Sequence, residues 1–134
     1  MSNQNLAIHG YDHYHQMLGD QVRMKAFRDA IFATVKPGDV VVDLGAGTGV
    51  LGFWALKAGA KKLYSIEKTD SIELAREIAK ANGVEGKVEF INQNSMEVEL
   101  PEKVDLLISE TLGPLALDEN TLQFTIDARD RFLK

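Results

Sequence analysis

The run Val40–Phe53, VVVDLGAGTGVLGF, constrains the fold more than any other part of the sequence. Three β-branched residues lead into Asp43 and Leu44, glycines stand at 45, 47 and 49, and an apolar stretch follows at once. A short apolar run that ends in a glycine cluster reads as a buried strand. Glycines placed between a strand and a helix let backbone N–H groups face a ligand at the helix N-terminus. Three alternating glycines are more than a plain turn needs. The run therefore predicts a ligand loop in an α/β sheet.

The remaining segments continue the alternation. Apolar residues at Val22, Ala26, Phe27, Ala30, Ile31 and Val35 have helical spacing, with Asp20 as N-cap and Pro37-Gly38 as the stop. Val50 to Ala60 reads as a helix and Lys62–Glu67 as a second strand. Asp70-Ser71-Ile72-Glu73 looks like a capping box opening a helix to Ala81, closed by Asn82-Gly83. Lys87–Asn92 and Val104–Ser109 read as a third and a fourth strand. A last helix is expected from Glu119 or Asn120 to the C-terminus. Strands alternating with helices imply a parallel sheet with helices on both faces.

Composition narrows the class. A chain of 134 residues, 45% hydrophobic and 26% charged, suits one ordinary globular domain. The absence of cysteine excludes a disulfide framework, a thiolate zinc site and a thiol nucleophile, and fits a reducing compartment. No apolar run approaches the ~20 residues of a membrane span, and the polar start MSNQN lacks a signal-peptide pattern. A cytoplasmic domain without membrane contact is expected. The net charge of −5 argues against general affinity for nucleic acid. Its distribution is uneven: Glu85–Glu119 holds nine acidic residues and two lysines. Such a stretch is either plain solvation or a face that attracts a cationic substrate. His9, His13 and His15 cluster near the start without a matching ligand set, so no metal is expected.

The loop itself excludes two common ligands. A G-x-G-x-x-G dinucleotide fingerprint would put glycine or alanine where Val50 stands, and a phosphate-binding P-loop would need Gly-Lys-Ser/Thr. Asp43, two residues before the first glycine, would oppose a pyrophosphate but welcome an ammonium group. Glu67 ends the second strand, where an acidic residue takes ribose hydroxyls in nucleotide-binding sheets. A nucleoside carrying an amino-acid cation and no phosphate fits both.

With these residues on the page, the sequence resembles the class I S-adenosylmethionine-dependent methyltransferases, through VVDLGAGTG. It resembles the protein arginine methyltransferases more sharply, through YDHYHQMLGDQVRMKAF (11–27), VVDLGAGTGVLGFWALKAGAKKLYSIEK (41–68) and ELPEKVDLLISETLGPLALDE (99–119). The resemblance runs from Tyr11 to Lys134. It implies a Rossmann-like sheet, with residues 1–36 as N-terminal helices closing over the cofactor and 37–134 as the cofactor-binding domain. The implied cofactor is S-adenosylmethionine, with S-adenosylhomocysteine as product.

The resemblance also implies roles. Arg23 would pair with the cofactor's carboxylate, a geometry suited to the guanidinium fork, and Met17 would lie near the sulfonium. Asp43, Gly45, Gly47 and Gly49 would hold the methionyl part and Glu67 the ribose. Ser95 and Met96 would lie near the adenine; relatives often carry an acidic residue where Met96 stands. Glu110 and Glu119 would be the catalytic pair, gripping two edges of a guanidinium and aligning one nitrogen with the methyl group.

Other departures are Pro114 in place of an aromatic residue and a compressed pair, Tyr11 and Tyr14. The family also continues into further strands, a β-barrel and a threonine-histidine-tryptophan loop. The sheet is thus expected to be truncated after the fourth strand and the helix that follows it. That would leave Val104–Ser109 at an edge, inviting self-association or marking a missing C-terminal half. Three functions stay open: methyl transfer to protein arginine or another cationic nitrogen, transfer to a different acceptor such as a ribosomal-protein side chain or a small molecule, and a non-catalytic nucleoside-binding or interaction module.

Overall fold

The computed structural model describes residues 19–110 and 121–134. Met17, Glu119, Tyr11, Tyr14, Pro114 and the three histidines lie outside them. Helix α1 (Gln21–Thr34) begins where expected, because the Asp20 carboxylate accepts the Arg23 backbone N–H at 3.1 Å. Strand β1 (Val40–Leu44) is buried throughout, as its β-branched run predicts. Helix α2 (Val50–Ala58), β2 (Lys62–Ile66), α3 (Ser71–Ala81), β3 (Val88–Ile91), β4 (Leu106–Ser109) and α4 (Thr121–Phe132) follow.

All strand pairings are parallel and the spatial order is β3-β2-β1-β4. The chain thus steps outward from β1 to β3, then returns to place β4 on the other side of β1. That reversal makes a crevice beyond the C-terminal ends of β1 and β4, the position where open α/β sheets bind ligands. Two apolar clusters sandwich the sheet. On one face Val41, Leu63 and Ile108 meet Ile31 and Val35 of the α1 segment and Leu51, Ala55 and Leu56 of α2. On the other, Val40, Val42, Tyr64 and Ile66 meet Ala128 and Phe132 of α4. Alternate residues of β1 serve opposite faces, so both faces need helices.

Two expectations need correction. Asp70 does not cap α3 through its side chain: its own backbone is already helical, with φ −68° and ψ −8°. From there its carboxylate makes no capping bond, and Thr69 Oγ1 accepts the Ser71 N–H instead, at 3.3 Å. The last helix also stops at Phe132, short of the C-terminus. Leu133 forms a parallel bridge with Val104, whose N–H donates to the Phe132 carbonyl and whose carbonyl accepts the Lys134 N–H. Backbone groups of Val104 are buried and need partners, and the chain end supplies them. Among the described residues β4 lies at the edge of the sheet, as expected.

Candidate functional site

The glycine loop is folded by its neighbours as much as by its own composition. Gly45, Gly47 and Gly49 all have positive φ, between 56° and 86°. A β-carbon at Gly49 would lie 2.7 Å from Phe53 Cζ and 3.4 Å from Ala75 Cβ. Gly49→Ala therefore combines left-handed strain with a collision, and is expected to destabilise the fold by about 2 kcal/mol. Urea denaturation monitored at Trp54 checks this; a change within experimental error would mean that Phe53 yields freely.

Glu67, just past β2, does more than its position promised. The residue is 6% exposed; its Oε2 accepts the Gly47 N–H at 2.7 Å and Oε1 the Thr69 N–H at 3.0 Å. One carboxylate thereby fixes the loop after β1 to the turn after β2. A carboxylate has about four acceptor sites, so two structural bonds leave capacity for hydroxyls. Asn92 adds a brace, donating from Nδ2 to the Glu67 carbonyl at 2.8 Å.

Asp43 is 2% exposed and accepts the Gly52 N–H at 3.2 Å. Gly52 has to be small, since a β-carbon there would lie 2.6 Å from Leu63 Cδ2. An isolated glycine in an apolar helix signals such a close approach, and Gly52 belongs to the site's support although only the loop glycines drew attention in the sequence. Burial first, then the nearby Glu67 and Glu110 carboxylates, push the Asp43 carboxyl up to about 7 against the opposing effect of the Gly52 N–H. Three carboxylates thus share one crevice.

Glu110 follows β4 and its side chain is 17% exposed, in an ion pair with Arg23 Nη2 from the first turn of α1. The acidic stretch divides here. Glu85, Glu89, Glu97, Glu99, Glu102 and Asp105 are exposed, which is ordinary solvation, while Glu110 is drawn into the crevice. Ser95 and Met96 form a short 3₁₀ turn after β3, capped by Asn94, whose Oδ1 accepts the Met96 N–H at 3.0 Å. Arg131 of α4 holds that turn from below, donating to the Ser95 carbonyl at 2.7 Å and to Val98 while paired with Asp127. Nothing in the local sequence marks this role of Arg131, because the carbonyls it holds lie more than thirty residues away.

The structure therefore gathers Arg23, Asp43, Gly45, Gly47, Gly49, Glu67 and Glu110 around the reversal of strand order, with the Ser95-Met96 turn following the neighbouring β3. A methyltransferase domain model matches residues 35–129, which span β1 to β4 and most of α4. The chain belongs to the methyltransferase domain family. Within it, the chain is 47% identical over 125 residues to protein arginine N-methyltransferase PRMT10 of Oryza sativa subsp. japonica, covering 90% of this chain and 33% of that protein. The crystal structure of Arabidopsis thaliana protein arginine methyltransferase 10, described as uniquely open, superposes with a TM-score of 0.85 at 43% identity, over 90% of this chain and 36% of that one. A Trypanosoma brucei PRMT1 enzyme-prozyme heterotetramer with AdoHcy gives a TM-score of 0.88 at 37% identity, over 92% and 40%. The chain spans about a third of the length of the curated relatives it matches.

For a methyltransferase domain the crevice has suitable chemistry. Acidic groups line it, the glycine loop exposes a backbone rather than side chains, and Lys or Arg side chains that would favour a phosphate do not pair with the loop among the described residues. That environment fits a cationic nucleoside.

Proposed function

We propose that this chain is the S-adenosylmethionine-binding part of a protein arginine N-methyltransferase. The observation that carries the reading is the convergence of Glu67, Asp43 and Glu110 on the crevice where β1 and β4 part, in a chain similar to named arginine methyltransferases. When bound, the cofactor supplies a methyl group already activated on a sulfonium and departs as S-adenosylhomocysteine.

The chain's own residues bind and align. Glu67 accepts from the ribose hydroxyls with the lone pairs its loop contacts leave over. The loop after β1 and the Asp43 carboxylate would receive the methionyl ammonium and Arg23 its carboxylate, with Met17 assigned to the sulfonium end by the resemblance alone. Ser95 and Met96 border the adenine. Glu110 and Glu119 hold a guanidinium by two edges so that one nitrogen lies in line with the methyl–sulfur bond. The bound cofactor would supply the methyl group and keep the electron pair of the broken C–S bond, and the acceptor nitrogen would release one proton to solvent water. Alignment supplies most of the rate, since the methyl donor is activated before it reaches the site.

Calorimetry with S-adenosylhomocysteine tests the cofactor half: binding to the wild-type chain is expected, and its absence would remove the proposal. A labelled-methyl assay on arginine-rich peptides, using the whole protein, tests the acceptor half. Glu110→Gln and Glu119→Gln are each expected to lower transfer by about 10²-fold or more with cofactor affinity retained. Full transfer in both variants would mean that the two glutamates do not grip the guanidinium, and cofactor binding without any transfer to the peptides would point to another acceptor or to a non-catalytic role. We further propose a cytoplasmic site of action and self-association through the β4 edge, supported respectively by the cysteine-free composition and by the edge position of β4.

A further inference from the structure

Ser65 of β2 is fully buried, and its Oγ has no hydrogen-bond partner among the described residues. Buried polar side chains are nearly always paired, so a buried hydroxyl without a partner calls for a reason. We infer that Ser65 is a positioning residue for Asp43, its hydroxyl turning to donate to that carboxylate as it ionises and so favouring the charged form that receives the methionyl ammonium. The inference rests on the reading of the crevice as a site for S-adenosylmethionine.

Strand register selects the partner. Ser65 stands beside Asp43 of β1 on one side and Phe90 of β3 on the other. Register partners on parallel strands present their side chains to the same face of the sheet. That face lies under α2: a β-carbon at Gly52 would meet Leu63 Cδ2 at 2.6 Å and Asp43 Oδ2 at 3.3 Å, and Leu63 is two residues before Ser65. Leu63 and Phe90 offer no acceptor. Glu67, two residues after Ser65, commits its two oxygens to Gly47 and Thr69. Asp43 is the neighbour that remains. It is itself short of donors, since the Gly52 N–H is the one hydrogen-bond donor acting on its carboxyl among the described residues. The charges around it do not help: Glu67 at the end of β2 and Glu110 after β4 are acidic, and Arg23 of α1 is paired with Glu110. The one ionisable side chain of α2, Lys57, stands in its last turn. A hydroxyl suits such a carboxyl in both its states, accepting from the neutral form and donating to the ionised one. Bonds to the ionised form are the stronger, so the net effect is to favour the charge.

The test reads the Asp43 carboxyl directly, by carbon NMR titration of the intact chain labelled at aspartate, with Asp43→Asn identifying its signal. In the wild type the midpoint is expected at about 7. Ser65→Ala deletes the hydroxyl and is expected to raise that midpoint by about one pH unit, while the other aspartates keep theirs. Ser65→Thr keeps a hydroxyl and should hold the wild-type midpoint to within about half a pH unit. Ser65→Cys, close in size but a weak donor, gives the same reading as alanine if the alanine variant does not fold. A rise of one unit lowers the ionised fraction near pH 7 by about 5-fold, so S-adenosylhomocysteine affinity by calorimetry should fall by about 5-fold there and return close to the wild-type value near pH 9. A serine that serves packing alone would leave the midpoint in place, or weaken binding equally at both pH values; either result overturns the inference and leaves the cofactor reading standing. Failure of S-adenosylhomocysteine to bind the wild-type chain, with the midpoint still rising in Ser65→Ala, would overturn the cofactor reading and leave Ser65 as the partner of Asp43.

Discussion

Glu67→Ala is expected to cost the chain both its loop and its ligand. The substitution strips the buried Gly47 N–H and the Thr69 N–H of their acceptor. A charged hydrogen bond is worth about 1.5–3 kcal/mol, and a buried donor left unpaired costs about 1–3 kcal/mol. The Thr69 side of the contact is half open to water, so the combined loss should be about 3 kcal/mol. Binding suffers separately, since the ribose hydroxyls lose their carboxylate and the loop its fixed shape. A drop of about 10²-fold or more in S-adenosylhomocysteine affinity is expected, measured by calorimetry beside a urea titration. Glu67→Gln separates the two effects. Its amide oxygen can still accept from Gly47, so stability should recover by half or more, while its amide group cannot accept a second hydroxyl and affinity should stay low. Equal recovery of both would mean that Glu67 acts on the loop alone. Unchanged affinity in both variants would mean that it has no part in binding.

The two loop contacts of Glu67 show what was legible in the sequence. The strand-loop-helix unit from Val40 to Ala58 could be read directly, because its signals are local: β-branched residues run into glycines and then into an apolar helix. The parallel sheet follows from alternation, and the edge place of Val104–Ser109 from the resemblance. Acidic residues at Asp43, Glu67 and Glu110 could be singled out by position at strand ends. Their partners could not. Glu67 meets Gly47 across twenty residues and Arg131 meets Ser95 across thirty-six. Arg23 reaches Glu110 only because β4 folds back beside β1. Such contacts depend on register, which no window of sequence encodes. The Asp70 misreading has a different origin. The Asp-Ser-Ile-Glu pattern was right for a helix start, but the capping geometry belongs to whichever residue keeps an extended backbone, and here Asp70 had already turned helical.

Asp43→Asn should stabilise the chain and weaken its site, the reverse of what a merely structural carboxylate would do. The Asp43 carboxyl is raised from 3.8 to about 7 by burial first, against the Gly52 N–H, with Glu67 and Glu110 adding to the rise. A group whose folded value lies above its unfolded value favours the folded state fully at low pH. That advantage is lost as pH rises from the unfolded value through the folded one, here between about 4 and 7. At pH 8 the wild-type chain then carries an ionised carboxylate in a buried crevice, at a cost of about 4 kcal/mol relative to acid conditions. Asparagine keeps an oxygen for the Gly52 N–H and never ionises. The stability difference between variant and wild type should be small near pH 4 and grow to about 2–4 kcal/mol in the variant's favour near pH 8, by urea denaturation across that range. A pH-independent difference would show that Asp43 ionises freely in the fold. The same substitution should weaken S-adenosylhomocysteine binding by about 10-fold or more at pH 8, because the methionyl ammonium loses its carboxylate. Wild-type binding near pH 7 should also release a proton as that ammonium favours ionised Asp43, visible as a heat that varies with the buffer's ionisation enthalpy and is reduced in Asp43→Asn. A carboxylate kept at a stability cost until a cation arrives is a reason for acid at this position that packing alone does not supply.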